Sequence, residues 1–384
     1  MILADLGADV VKVEATPGGD MVRGWGPFVD GISTYYLSAN RNKRSLAIDL
    51  RHPSGLATIR KLAREADVLV ENFKPGTTTA MGIGYDDLIA RHPRLIYASI
   101  SGFGRGGPYE NWPGFDQIAQ GMSGLMSLTG SADSGPTRVG IPVGDLTAGM
   151  WSAIGILAAL FQRQVSGAGQ RVDTSLLGSL IGMLCVQGQR YLSLGEVPKP
   201  TGNDHPVIAP YGLFETKNGP LNIAAATEAM WPILCRILGL DALVDDPRYR
   251  DNRARVAYRE SLNNVLEERL RTRPKEEWST ELIAAGIPAG PVLGLDEVFS
   301  DPHVLGSGRV ETVEHPTLGA LRLLADPIRL GASQGRTIRS APPMLGEHSE
   351  AILQDFGLDP AEIKRLVDSG VIQTGGCPPV APNR

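Results

Sequence analysis

Ser45-Leu46-Ala47-Ile48, then Pro53-Ser54-Gly55-Leu56-Ala57-Thr58-Ile59-Arg60-Lys61-Leu62-Ala63-Arg64-Glu65-Ala66, then Asp67-Val68-Leu69-Val70: these three stretches decide the fold class. The outer two are short apolar runs of strand length. The middle one has helical periodicity, with Pro53 near its start, where a missing N–H costs little. Working outward, Asp9-Val10-Val11-Lys12-Val13 reads as an earlier strand and Arg94-Leu95-Ile96-Tyr97-Ala98 as a later one. Strand and helix thus alternate, which predicts a mostly parallel sheet covered on both faces, the doubly wound α/β class with a Rossmann-like large domain.

The 384 residues exceed one ordinary core, and two domains are expected. Pro198-Lys199-Pro200-Thr201-Gly202-Asn203 reads as the linker out of a large domain spanning 1–200. Beyond it the pattern changes. Runs from Pro210 to Thr216 and Pro220 to Ala226 flank the turn Lys217-Asn218-Gly219, and helical stretches follow near 229–238, 258–271 and 275–285. This predicts a smaller α+β domain over 201–324. Two helices around Ile352 and Ile363 are expected to return the segment 325–384 to the large domain, with a loose tail from Cys377 to Arg384.

A 42% hydrophobic and 21% charged composition is ordinary for a globular protein, so disorder and fibrous repeats are set aside. The formal net charge of −5 argues against a nucleic-acid or anionic-membrane partner, since both reward clustered positive charge. Cys185, Cys235 and Cys377 are far apart and odd in number, so neither a disulfide framework nor a metal site is expected, and a cytoplasmic location fits. The beginning, Met1-Ile2-Leu3-Ala4-Asp5, lacks the basic region of a secretory signal. The most apolar segment, Met150 to Phe161, is shorter than the roughly 20 residues that span a bilayer and reads as a buried helix. In it, Met150, Ile154, Leu157 and Phe161 form one stripe while Ala148, Gly149, Ala153, Gly155, Ala158 and Ala159 keep the other faces thin, so close packing on most sides is expected. A second apolar helix is expected over 176–192.

Ligands of open parallel sheets bind beyond the carboxyl ends of the strands. Two such exits stand out, Glu71-Asn72-Phe73-Lys74-Pro75-Gly76 and Ser99-Ile100-Ser101-Gly102-Phe103-Gly104. Asn72 offers amide hydrogen bonds, Phe73 a face for a base, and Lys74 a charge for a phosphate, a set that suits a nucleotide-like ligand. The same residues also make an ordinary Pro-Gly turn with a solvated lysine. Gly102 to Gly107 satisfies G-x-G-x-x-G formally, but Pro108 follows and no helix is expected to open there, so we read a flexible loop whose glycines admit close backbone approach.

Asp145 stands in Gly140-Ile141-Pro142-Val143-Gly144-Asp145-Leu146-Thr147, just before the apolar helix. An aspartate there is a good N-cap, and a helix N-terminus also stabilises a carboxylate. Ionised near neutrality, it needs no separate base to act as a nucleophile. Four of the six histidines, His52, His92, His205 and His315, precede proline and read as loop residues. No G-x-S-x-G, P-loop or H-E-x-x-H pattern occurs.

Together these segments resemble the family III CoA-transferases, the CaiB/BaiF group that includes formyl-CoA, carnitine and bile-acid CoA-transferases. The pieces that carry the likeness are Leu6 to Glu14, Asn42-Lys43-Arg44-Ser45, Glu71 to Gly76, Pro93 to Tyr97, Ser101 to Gly104, Gly144-Asp145 and Leu345-Gly346-Glu347-His348, in order along nearly the whole chain. The resemblance implies an enzyme that moves coenzyme A from an acyl-CoA to a free carboxylic acid, with no tightly bound cofactor. It implies Asp145 as the covalent nucleophile, passing through a mixed anhydride and an aspartyl-CoA thioester. It also implies a CoA site lined by Asn72, Phe73 and Lys74, with Arg51 as a basic contact and the Gly102-Phe103-Gly104 loop beside it. An interlocked homodimer is implied as well, and His205 could border the acyl pocket. Family members carry a first strand and a turn before the point where this chain begins, so an exposed sheet edge or groove is expected. Ala15 and Ala80 stand near positions where some members carry arginine.

Two rival readings remain. An α-methylacyl-CoA racemase shares the fold, but Gly114-Phe115-Asp116 places a phenylalanine where that enzyme needs a histidine, and Phe115 cannot exchange a proton. A noncatalytic CoA-binding or scaffold protein is the other.

Overall fold

A computed structural model describes residues 1–331 and 337–375. In chain order it runs β1 (Val10–Ala15), β2 (Lys43–Ile48), α1 (Pro53–Glu65), β3 (Val68–Glu71), β4 (Ile96–Ser101), α2 (Asp116–Met122), α3 (Val143–Ser166), β5 (Arg171–Ser175), α4 (Leu176–Met183) and α5 (Cys185–Leu194). Next come β6 (Tyr211–Thr216), β7 (Gly219–Ala224), α6 (Met230–Leu238), α7 (Arg259–Leu270), α8 (Lys275–Ala284) and β8 (Ala289–Pro291). The last elements are β9 (Val310–His315), β10 (Gly319–Leu324), α9 (Ser349–Asp355), α10 (Pro360–Asp368) and β11 (Ile372–Gln373). The fold is mixed α/β.

Two compact units emerge. One joins Met1–Ala119, Val143–Leu180 and Ser300–Arg384; the other joins Gln120–Pro142 and Ile181–Phe299. These units follow spatial proximity, whereas the bounds 1–200, 201–324 and 325–384 follow the linker and the change of pattern along the chain. The tail from Cys377 lies outside the described residues.

In the first unit, β1 and β2 pair in parallel, as do β3 with β4 and β4 with β5. β11 joins β2 antiparallel. Hydrogen bonding therefore sorts the parallel strands into two sets rather than one continuous ladder. Among the described residues β1 and β3 each have a strand partner on one side alone, and Val13 and Val70 on them are exposed. Residues of β4 alternate in direction, as a strand's period of two requires. Tyr97 and the preceding Leu95 enter a core with Leu46, Ile48, Ile59, Leu62, Ile352 and Ile363. Ile96 and Ala98 enter another with Ile156 and Ala159 of α3. Helices thus cover both faces of these strands, and each fully buried aliphatic side chain contributes roughly 1.5–3 kcal/mol.

α3 corrects two expectations. It runs for 24 residues, about twice the apolar segment read from sequence, and by length and composition alone it could cross a membrane. It is also buried on one face only. Ala148, Ala153, Ile156 and Ala159 are buried, whereas Met150, Ile154, Leu157 and Phe161 are exposed. The reason is approach distance: the small-residue face lets the helix axis come close to β4 and β5, and a Cβ on Gly155 would stand 2.7 Å from Val172 Cγ1. The large side chains have to lie opposite. The helix expected over 176–192 is broken as well: α4 ends at Met183 and α5 starts at Cys185, which takes φ +42°.

Several of the motif pieces meet in one buried network. Arg23 donates to Glu14 through Nε at 2.7 Å and Nη2 at 2.9 Å, and Ser45 Oγ donates to the same carboxylate at 2.7 Å. Ser45 Oγ in turn accepts the Gly346 N–H at 3.0 Å. Burial pushes the Glu14 carboxyl up, but Arg23 and Ser45 outweigh it and hold it below the usual carboxylate range. These motif segments are therefore architectural: they lock β1, β2 and the returning C-terminal segment together.

In the second unit, β6, β7 and β8 form an antiparallel sheet. α6, α7 and α8 pack on it through Trp231, Leu234, Leu262, Leu266, Trp278 and Leu282. The hairpin turn falls at Lys217 and Asn218, between β6 and β7.

Candidate active site

The site is built from the exits of neighbouring parallel strands. Register pairs Glu71, the last residue of β3, with Ser99 of β4, so the two exit loops leave the same edge side by side. Glu71 joins them: Oε1 accepts from Ser99 Oγ at 2.5 Å and Oε2 accepts the Phe73 N–H at 2.8 Å. The chain then turns, with Lys74 O accepting the Thr77 N–H at 3.1 Å. Asn72, Phe73 and Lys74 are left exposed, free to meet a ligand.

The β4 exit is more ordered than its glycines suggest. The Gly104 N–H donates to Ser101 Oγ at 3.0 Å, and Gly102 O accepts the Leu177 N–H at 3.0 Å. Gly102 and Gly114 touch, since a Cβ on Gly102 would lie 3.1 Å from Gly114 Cα. Residues 103–113 thereby close on themselves as an Ω-type loop packed by its own side chains. Phe103 lies edge-on to Tyr109 and Trp112, with centroids 6.1 Å away in both cases, and those two rings are 4.2 Å apart. The flexible loop read from sequence is instead held by aromatic packing.

Arg51 follows β2, and its N–H donates to Asp49 Oδ1 at 2.9 Å. Its side chain is exposed. β2 belongs to the other strand set, so hydrogen bonding brings Asn72 to Lys74 together with Gly102 to Gly104 but does not join Arg51 to them.

Asp145 lies in the first turn of α3, which begins at Val143, so the residue is inside the helix rather than its N-cap. Asp116 Oδ1 accepts the N–H groups of Gly144 at 2.6 Å and of Asp145 at 3.4 Å. Among the described residues no lysine, arginine or histidine forms an ion pair with Asp145. Asp145 as a residue is open to solvent. Desolvation of its carboxyl and the nearby charge of Asp116 nevertheless push its pKa up.

Sequence reasoning missed Glu71, Ser99 and Asp116 as functional residues. Glu71 and Ser99 could be linked only through strand register, which no local pattern reveals. Asp116 was visible beside Phe115 but weighed only through that neighbour. Phe115 is 63% exposed. His205, in the second unit, accepts the Val207 N–H at 3.3 Å and stacks on Tyr211 with centroids 4.9 Å apart, so it shapes its own turn. Cys235 is buried and its thiol is pushed up to about 12, chiefly by burial, which removes it as a nucleophile near neutrality. Cys185 is exposed.

The site thus offers a carboxylate in the first turn of a helix, with no ion-pair partner among the described residues and a second carboxylate, Asp116, on its backbone N–H groups. A model described as CoA-transferase family III matches residues 1–349, and the chain belongs to that family. It is 40% identical over 375 residues to a succinyl-CoA:glutarate CoA-transferase of Mus musculus, covering 97% of this chain and 86% of the relative. It is 39% identical over 362 residues to a succinate–glutarate CoA-transferase of Agrobacterium fabrum, covering 92% and 90%. Among solved structures, a CaiB/BaiF family protein from Brucella suis superposes with a TM-score of 0.81 at 39% identity, covering 92% of this chain and 93% of that one. The chain is an acyl-CoA:carboxylate CoA-transferase, and CoA thioesters are its substrates.

Proposed function

We propose that this enzyme transfers CoA between dicarboxylic acids through covalent intermediates on Asp145. The single observation that carries the mechanism is the Asp145 carboxylate itself: ionisable, in the first turn of α3, and without a cationic partner among the described residues. One of its oxygens attacks the thioester carbonyl, the C–S bond breaks, and a mixed anhydride and CoA thiolate result. The thiolate attacks Asp145 Cγ, releasing the donor acid and leaving an aspartyl-CoA thioester. The acceptor carboxylate then attacks that thioester and the steps reverse, so no outside proton or electron is needed. Backbone N–H groups of the glycine-rich loops suit the developing oxyanion, and exclusion of water protects the anhydride. The dicarboxylic substrate class follows the names of the Mus musculus and Agrobacterium fabrum relatives.

In the same reading Asn72, Phe73 and Lys74 receive the CoA nucleotide beside Gly102, Phe103 and Gly104, with Arg51 a further basic contact. The large domain is a doubly wound, Rossmann-like sheet. Two chains interlock as a dimer, for which the exposed apolar face of α3 supports the argument. The enzyme works in the cytoplasm without a tightly bound cofactor. The test is trapping: incubate with succinyl-CoA, quench with hydroxylamine or borohydride, and locate the modification by mass spectrometry. We expect it at Asp145, with Asp145→Ala losing exchange and keeping CoA binding. Exchange that survives in Asp145→Ala would refute the mechanism.

A further inference from the structure

The first turn of α3 is held from outside the helix. N–H groups at a helix start have no intrahelical acceptor, and a carboxylate placed there is favoured by the helix dipole. Asp116 supplies that carboxylate to Gly144 at 2.6 Å and to Asp145 at 3.4 Å. Its access depends on glycine at 144, where a Cβ would stand 2.9 Å from the same Oδ1 and 3.2 Å from Leu180 Cδ1. Asp116 is itself aimed by the closed loop before it, because Gly114, two residues earlier, is pinned against Gly102 at the exit of β4. A path of direct contacts therefore runs from the β4 exit, through Gly114 and Asp116, to the backbone of Asp145.

We propose that Asp116 is a positioning residue of the transfer reaction, fixing the main-chain turn from which Asp145 projects and setting a second negative charge beside it. The proposal rests on Asp145 as the nucleophile. Burial and then the Asp116 charge push the Asp145 carboxyl up, and nucleophilicity rises with basicity, as it does among thiolates. Other charges around α3 are spoken for. On β5, Arg171 and Asp173 pair with each other at 2.8 Å. In the Ile2–Asp5 turn, Asp5 is tied to Arg41 at 2.6 Å. Tyr97 of β4 faces away and bonds Thr78 Oγ1 at 3.1 Å. α4 carries no titratable side chain.

The experiment compares Asp116→Asn and Asp116→Ala with the unaltered enzyme, measuring kcat and KM for CoA exchange against pH, melting temperature, and the trapped adduct at Asp145. The amide of Asp116→Asn keeps an acceptor for both N–H groups but removes the charge. It should move the acid limb of kcat/KM to lower pH and lower the plateau, with KM for the acyl-CoA unchanged. Asp116→Ala should lower kcat on the order of 10- to 100-fold through misplacement of the nucleophile. If Asp116→Asn folds, forms the Asp145 adduct and retains both the native acid limb and the native plateau, the inference about Asp116 is overturned while the nucleophile stands. If the unaltered enzyme forms no adduct at Asp145, both fall together.

Discussion

Replacing Glu71 by alanine tests whether the loop proposed to receive CoA is preorganised by the sheet. The change removes the acceptor of the Phe73 N–H at 2.8 Å and of Ser99 Oγ at 2.5 Å. Glu71 is partly exposed, so each bond is taken at a net value of about 1 kcal/mol, the ordinary figure for an intramolecular hydrogen bond. Binding must then re-order a loop that the native protein already holds, which costs between about 1 and about 2 kcal/mol, or roughly a 5- to 30-fold weaker CoA affinity. Chemistry at Asp145 is untouched by this change, so kcat should stay near its native value while KM for the acyl-CoA rises. Glu71→Gln should recover most of the loss, because the amide oxygen can accept the Phe73 N–H and its NH2 can donate to Ser99 Oγ. Calorimetric titration with CoA, alongside kcat and KM, reads all three. A Glu71→Ala enzyme of native melting temperature with unaltered CoA affinity would refute the reasoning, as would a kcat that falls in step with affinity.

The buried Glu14–Arg23 pair should matter for stability: Glu14→Gln leaves the guanidinium without its counter-charge and should cost about 3–5 kcal/mol by chemical denaturation. Because the folded-state pKa of Glu14 lies below its ordinary value of 4.5, the stability it contributes is present above that pH and is lost as pH falls further, so the variant's penalty should shrink in acid. On α3, Leu157→Lys combined with Phe161→Lys should convert the proposed dimer into monomers in analytical ultracentrifugation, since two side chains worth roughly 1.5–3 kcal/mol each on burial are removed from the exposed stripe. A sedimentation coefficient equal to that of the native oligomer would count against that face as the interface.

The alternation of strand and helix from Val10 to Ala98 was legible in sequence because both periods depend on local spacing. So was the hairpin at Lys217 and Asn218, where the turn chemistry is local too. The motif pieces placed the family, and their order along the chain was itself informative. Three things lay beyond the sequence. Which stripe of α3 would be buried depended on how near the helix could come to β5, a distance set by Gly155 against Val172 and not by apolarity. That Glu71 and Ser99 would clasp the loop proposed to receive CoA depended on the register of β3 against β4. That Asp116 would hold the turn carrying Asp145 depended on Gly102 and Gly114 closing the loop between them. Residue type and spacing determine which elements form and which chemistry is at hand. Contacts between residues distant in sequence decide which of those groups meet, because they arise only when the elements pack.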